Sequence, residues 1–160
     1  MARQSGYSAL QISLHWIVAI LIFAAWFLGE GMGKLLHQKM DGTFTGSTPL
    51  HVILGIAVLV FVVIRIATRV KQGAPDAVPS GQPLLDKAAG WMHGLLYLLM
   101  VLVPVGGILT WGAGFASLGD VHAVAGNALF FLALAHAAVG IFHGVVKKDG
   151  VMMRMMKPAA

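Results

Sequence analysis

The chain has 160 residues, of which 58% are hydrophobic and 11% are charged, and its mean hydropathy is +0.83. A water-soluble domain of this length needs more charge to cover its surface, so lipid is predicted to be the main solvent. The formal charge of +5 comes from basic residues at the ends of apolar runs, which argues against nucleic-acid binding. The lack of cysteine excludes disulfides, zinc–thiolate sites, iron–sulfur clusters and covalently attached haem c.

Four apolar runs follow one another along the chain, at approximately 10–28, 51–67, 91–111 and 121–146. Each is close to or longer than the roughly 20 residues that cross about 30 Å of hydrocarbon. A spanning segment must satisfy its own backbone hydrogen bonds, which favours helices. We therefore predict an all-α integral membrane protein, a four-transmembrane-helix bundle, with one domain over residues 1–160.

The connections between these runs differ in composition. Residues 29–49 form a glycine-rich segment that we predict to be a loop, and residues 72–83 have the proline and glycine content of a linker. Residues 112–120 are predicted to form a short turn. Pro104 lies inside the third run and is predicted to kink it, with the freed carbonyl satisfied by a neighbouring helix.

The basic residues predict the orientation in the membrane. Two of the eleven, Lys34 and Lys39, fall on one side. The other nine fall on the opposite side: Arg3, Arg65, Arg69, Lys71, Lys87, Lys147, Lys148, Arg154 and Lys157. Since cytoplasmic segments carry the excess of lysine and arginine, both termini are predicted to be cytoplasmic, in a multi-pass protein of the bacterial inner membrane.

The chain has seven histidines, which are costly inside a membrane unless they have a function. The alternative is that each bonds across to a neighbouring helix, as polar residues in bundles often do. His122 and His136 are 14 residues apart, which on a helix is about 1400°, roughly 40° short of four full turns, and about 21 Å of rise. They therefore share a face at the spacing that two stacked haems require. His143 is only about 10 Å beyond His136, too close for a second haem.

Each haem needs a second axial ligand from another helix at matching depth. His51 opens the second span on the outer side, level with His122. His15 lies about five residues into the first span from the cytoplasmic side, at a depth that matches His136. We therefore predict that His51 and His122 hold an outer haem, and that His15 and His136 hold an inner one.

A small residue follows each of these four histidines by one helical turn. The four small residues are Ala19, Gly55, Gly126 and Gly140. Because residues four apart share a helix face, they would leave space for a flat macrocycle. The corresponding positions after the other three histidines hold larger or charged residues, namely Tyr97, Lys147 and Asp41. Small residues are common in membrane helices, so this pattern only supports the assignment.

The remaining polar and aromatic residues allow more than one interpretation. His37 is predicted to be solvated in the outer loop. His93 and His143, at the cytoplasmic interface, are either helix caps or proton-handling groups of a quinone site. Arg65 and Arg69 are explained by topology, although they could also pair with haem propionates. The four tryptophans lie near span ends, which favours an aromatic belt over an electron path.

Several short motifs are distributed over almost the whole chain. They are LQISLHW at 10–16, PLHVILG at 49–55, MHGLLYLL at 92–99, PVGG at 104–107, the three histidines of the fourth span, KDG at 148–150 and MRMM at 153–156. Together they resemble the bacterial cytochrome b561 family, which includes the b-type cytochrome subunits of nickel–iron hydrogenases. The resemblance implies a four-helix bundle with two non-covalent haems b that exchanges electrons with quinone. The family's ligands correspond to His15, His51, His122 and His136.

Family members of this length resemble superoxide oxidases, which take electrons from superoxide on the periplasmic side and reduce ubiquinone. Here the loop before the fourth span is short, and Lys34 and Lys39 are the only cations on that side. The predicted function is that of a di-haem b oxidoreductase that transfers electrons between a periplasmic donor and ubiquinone.

Two alternatives remain at this stage. One is a haem b membrane anchor that connects quinone to a soluble dehydrogenase or hydrogenase. The other is a haem-free, histidine-lined metal or proton transporter. A transporter would need acidic residues inside the spans, and the runs contain none apart from Glu30 and Asp120 at their outer margins.

Overall fold

The computed structural model describes residues 6–159, and within that range the chain is helical and contains no strand. Four helices are long and apolar enough to cross a membrane. They are α1 (Ala9–Phe27), α3 (Leu50–Gln72), α4 (Pro83–Trp111) and α5 (Gly119–Phe142), the last extended at both ends into the span Ala116–Lys147. The predicted all-α membrane bundle of four spanning helices is thus confirmed. Arg3, counted above for topology, lies outside the described residues.

The predicted loop between the first two spans contains a helix, α2 (Met32–Met40). It starts after Gly31, which adopts a left-handed conformation with φ of +79°. Its apolar residues recur at helical spacing, and a Cβ placed on Gly119 would lie 3.3 Å from Leu36 Cδ2, so α2 packs near the start of α5. A nine-residue amphipathic helix is too short to appear as a spanning run, which is why the sequence suggested a loop.

Helix α4 begins earlier than the third apolar run. Pro83 occupies its start, where a missing N–H costs nothing, and the helix continues through Asp86 and Lys87 into the apolar segment. The helix is assigned without a break through Pro104, which is buried. At the other end of the chain, α5 passes directly into a π-helical turn, His143–Lys147.

The core of the bundle lies midway along the spanning helices. It consists of seven side chains from all four: Val18, Ile22, Val58, Val62, Leu96, Met100 and Leu129. The side chain of Val62 is fully buried, whereas large apolar residues elsewhere, such as Trp91 at 80% exposure, face outward. An apolar exterior around a packed interior is the arrangement that a hydrocarbon solvent requires.

The N-terminal segment, the linker after α3 and the C-terminal tail meet at one end of the bundle. The Ala159 amide donates to the Tyr7 carbonyl at 3.0 Å, and the Arg154 guanidinium donates to the Asp76 carbonyl at 2.7 Å. At the opposite end, the Lys39 ammonium donates to the Trp111 carbonyl. The predicted topology requires the two termini and this linker to share one side, and their contacts agree with that requirement.

Candidate haem-binding sites

Two histidines that begin helices lie close together at the end of the bundle away from the chain termini, called the outer end after the predicted topology. His51 is in the first turn of α3 and His122 is in the first turn of α5, and their ring centroids are 5.9 Å apart. With metal–nitrogen bonds of about 2.0 Å and about 1.2 Å from nitrogen to ring centre, two imidazoles on opposite sides of one metal lie about 6.4 Å apart. The outer pair therefore has nearly the separation of two axial ligands.

Backbone carbonyls orient both outer imidazoles. The Nδ1 of His51 donates to the Ala25 carbonyl of α1 at 2.8 Å, and the Nδ1 of His122 donates to the Val103 carbonyl of α4 at 2.9 Å. A carbonyl can only accept, so each Nδ1 carries the proton and each Nε2 keeps its lone pair. Metal-binding histidines usually have this arrangement, with the second ring nitrogen donating to a fixed acceptor.

The inner pair lies on α1 and α5. The ring centroids of His15 and His136 are 6.3 Å apart, again close to the separation of two axial ligands. His93 of α4 is nearer to His136, at 5.0 Å, and its Nδ1 donates to the Ala89 carbonyl of its own helix. His93 is thus a neighbour of the inner pair. Over residues 6–159, no three histidine, aspartate or glutamate side chains form a group that could hold a metal ion.

The small residues one turn after the histidines leave open space. A Cβ placed on Gly55 or on Gly140 would meet no other heavy atom within 4 Å, and one on Gly126 would touch only Val103 Cγ1, at 3.9 Å. Ala19, the fourth of this group, is half-buried. Together with the ring separations, these open positions fit a flat macrocycle against each helix.

Two arginines lie on the inner half of α3. The Arg65 Nε donates to the Tyr97 hydroxyl at 3.1 Å, and Arg69 lies over the same aromatic ring. Within the described part of the chain, no carboxylate neutralises either arginine, so both positive charges are available to an anionic group.

The family model for prokaryotic cytochrome b561 matches residues 6–158. The chain belongs to this family. It is 40% identical to cytochrome b562 of Cereibacter sphaeroides, with 99% of both chains aligned. It is 28% identical to the probable superoxide oxidase CybB of Yersinia pestis, over 94% of this chain and 95% of the relative. Cytochrome b561 homolog 1 of Escherichia coli is also 28% identical, over 94% of this chain and 96% of the relative.

Membership of the cytochrome b561 family identifies this chain as a multi-pass bacterial membrane protein that binds haem and transfers electrons. The family's cofactor is haem b, and the two histidine pairs are the groups in this chain whose spacing fits it. The family's redox function also favours haem over the alternative of a histidine-lined transporter.

His143, at the start of the π-helical turn after α5, has a carboxylate partner. Its Nδ1 donates to Asp149 Oδ2 at 2.5 Å, in a pair at the protein surface where both side chains are partly exposed. The other oxygen of Asp149 accepts the Val151 amide at 3.1 Å, which orients the carboxylate. The hydrogen bond from His143 holds the pKa of Asp149 below its usual range. No contact in residues 6–159 joins His143 to His93, which lies beside the inner pair.

Two glycines lie directly against the outer imidazoles of this cytochrome b561-family protein. The sequence analysis assigned no role to either of them. A Cβ on Gly107 would lie 2.9 Å from His122 Cε1, and a Cβ on Gly29 would lie 3.3 Å from His51 Cε1. The sequence contained a signal for one of them, the glycine pair in the motif PVGG at 104–107. The motif alone does not show that these glycines lie against the His122 ring, because that contact depends on the packing of α4 against α5.

Proposed function

We propose that this member of the family is a di-haem b oxidoreductase of the bacterial inner membrane that passes electrons between a periplasmic donor and ubiquinone. The observation that carries the proposal is the presence of two histidine pairs with axial-ligand separation, 5.9 Å and 6.3 Å between ring centroids. The two members on α5 are 14 residues apart, which corresponds to about 21 Å along the helix. One redox centre near each membrane surface would connect the two sides.

In this proposal His51 and His122 hold the outer haem b, and His15 and His136 hold the inner one. Bis-histidine ligation leaves no open iron position, so the bound haem supplies outer-sphere transfer of single electrons. The imidazoles set the ligand strength, and the small residues Ala19, Gly55, Gly126 and Gly140 leave room on the same helix faces. Arg65 and Arg69 offer the cations that haem propionates would pair with.

The quinone site of this proposal lies at the cytoplasmic end and contains His143 and His93. Reduction of ubiquinone to ubiquinol consumes two electrons and two protons. Because the Nδ1–H of His143 donates to Asp149, its Nε2 can take up a proton from the cytoplasmic side, donate it in a hydrogen bond to a quinone oxygen and pass it on. Asp149 would hold the ring in this orientation and stabilise it when it carries charge.

Superoxide is the periplasmic donor that the relative from Yersinia pestis suggests through its name. Two superoxide ions would then give one electron each, and with two protons and one ubiquinone they would yield two molecules of oxygen and one ubiquinol. Lys34 and Lys39 are on the outer side, and Lys39 is already engaged with Trp111.

The haem content of purified variants tests the proposal. We expect about two haems per chain in the wild type and about one after alanine replaces any one of His15, His51, His122 or His136, because each iron needs both axial ligands. His37→Ala is the control, since the His37 side chain is 81% exposed and forms an ion pair with Asp41, one helical turn later. One haem per chain in the wild type, or full occupancy after His136→Ala, would contradict the predicted pairing.

The alternative of an anchor subunit is tested with the same protein. The purified chain alone should be reduced by superoxide and reoxidised by a ubiquinone analogue. Electron exchange that appears only when a soluble dehydrogenase or hydrogenase is added would favour the anchor function instead.

A further inference from the structure

Both outer imidazoles follow the same rule in the way they contact a neighbouring helix. His51 donates to the Ala25 carbonyl, and the residue four positions after Ala25 is Gly29. His122 donates to the Val103 carbonyl, and the residue four positions after Val103 is Gly107. In a helix, the carbonyl of one residue points toward the residue four positions later. On α4, a side chain at Gly107 would therefore stand where the imidazole approaches. Gly29 lies just beyond the end of α1, where the turn places it against the His51 ring.

The distances show how little room a larger residue would have. A Cβ on Gly107 would lie 2.9 Å from Cε1 and 3.3 Å from Nδ1 of His122. A Cβ on Gly29 would lie 3.3 Å from both Cε1 and Nδ1 of His51. Carbon atoms in contact prefer about 3.5–4.0 Å, so the first contact would force the ring to move and the second would press on it.

The carbonyl of Ala25 is available because α1 ends there. In the last turn, the Leu28 amide donates to Ala24 and the Gly29 amide donates to Trp26, which leaves the Ala25 carbonyl without a helical partner. Carbonyls at a helix C-terminus need a partner from outside the helix. The imidazole of His51 supplies it, and the absence of a side chain on Gly29 allows the ring to reach it.

We propose that Gly107 and Gly29 are positioning residues for the outer haem ligands: each opens a notch through which an imidazole donates its Nδ1 proton to a backbone carbonyl. This inference rests on the proposed function, since it assigns the residues that orient His122 and His51 as ligands. The rings of His15 and His136 have no such hydrogen bond within residues 6–159. The combination of a glycine and a carbonyl acceptor is therefore a feature of the outer pair.

The notch has a consequence for the redox potential of the outer site. An Nδ1–H that donates to a carbonyl makes the Nε2 of the same ring a stronger ligand. Stronger donation stabilises the oxidised iron and lowers the reduction potential. Displacing the ring of His122 from the Val103 carbonyl should therefore raise the potential of the outer haem without altering that of the inner haem.

A matched pair of alanine variants tests this on the haem-loaded protein. Gly107→Ala should shift the electron paramagnetic resonance signal of the outer haem and raise its potential, or release that haem, while the inner haem stays as in the wild type. Gly106→Ala is the control, because its Cβ would lie 3.9 Å from the nearest His122 atoms, which is an ordinary contact. Gly29→Ala should act in the same direction as Gly107→Ala but more weakly.

An outer haem with unchanged signal and potential in Gly107→Ala would overturn the proposal, as would an equal disturbance in Gly106→Ala. Alanine is the better helix former, so a loss in Gly107→Ala cannot come from helix propensity.

A double-mutant cycle covers the case in which Gly107→Ala folds poorly. Gly107→Ala should lower the midpoint of thermal unfolding when His122 is present and have little effect in a His122→Ala background, because the clash needs the ring. An equal loss in both backgrounds would assign Gly107 to helix packing alone and overturn the proposal. A wild type without any haem would instead refute the proposed function, and the coupling between Gly107 and His122 could still be measured.

Discussion

His143 differs from the histidines of the outer pair in the partner of its Nδ1. The outer imidazoles donate to neutral carbonyls, whereas His143 donates to the carboxylate of Asp149. Because the pKa of Asp149 is lowered in the folded protein, this contact stabilises the C-terminal turn above the usual carboxyl value of 3.8 and is lost as the pH falls through the lowered value. The imidazole–carboxylate pair is therefore intact throughout the neutral range.

Replacement of His143 tests its assignment to the quinone site. His143→Ala should keep both haems and their spectra but slow haem–quinone electron exchange by about 100-fold, since a general acid–base group typically contributes 10²–10⁴. The rate is measured by stopped-flow reoxidation of the reduced protein with a ubiquinone analogue.

Two outcomes would contradict this assignment. Loss of a haem in His143→Ala would make His143 a ligand and the pairing wrong. An unchanged exchange rate would make it a helix cap only. His37→Ala at the opposite end of the bundle serves as the control.

At the scale of whole elements, an aromatic stack joins α1 to α5 between the levels of the two histidine pairs. The ring of Trp26 lies 3.8 Å from that of Phe130 with 5° between their planes, and its indole N–H donates to Asn127 at 2.9 Å. Trp111 is only 9% exposed and packs inside the protein, whereas Trp26 is half-buried and is held against α5 by Phe130 and Asn127. The aromatic-belt interpretation suits the exposed Trp91, but it does not suit Trp26 or Trp111.

Two adjacent phenylalanines give a matched test of this stack. Phe130 is 6% exposed and Phe131 is 60% exposed. Phe130→Ala should lower the free energy of unfolding by about 2 kcal/mol, less than the 3–5 kcal/mol of soluble cores because lipid is as apolar as the interior it replaces. Phe131→Ala should stay within about 0.5 kcal/mol of the wild type. Equal losses in both variants, measured by unfolding in detergent, would show that the stack does not stabilise the bundle.

At the scale of the whole molecule, the distribution of basic residues predicts that both termini and the linker at 72–83 are cytoplasmic. The chain has no native cysteine, so single cysteines can report the side of each loop. Ala77→Cys and Ser47→Cys are both at exposed positions in opposite connections. An impermeant reagent added to the periplasmic side should label Ser47→Cys and spare Ala77→Cys. The reverse labelling would invert the topology and exchange the names of the outer and inner haems.

Much of the fold was predictable because membrane crossing is a local property. An apolar run long enough for the bilayer must be a helix, whatever its neighbours, and the sequence contains four such runs. Helix ends were less predictable, since α4 begins at Pro83 and includes charged residues that interrupt the apolar run. The short helix α2 was missed for the related reason that its amphipathic pattern is completed only by packing near Leu36.

The sequence alone determined the histidines on which the candidate sites depend, because the spacing of His122 and His136 on one helix sets their common face and their separation. Only the tertiary structure decided what surrounds them. His51 and His122 meet groups from other helices: the carbonyls of Ala25 and Val103, and the notch at Gly107. Packing of α4 against α5 also brings His93 beside His136. Spacing along a chain specifies which residues of one helix share a face, but contacts between helices depend on how those faces pack.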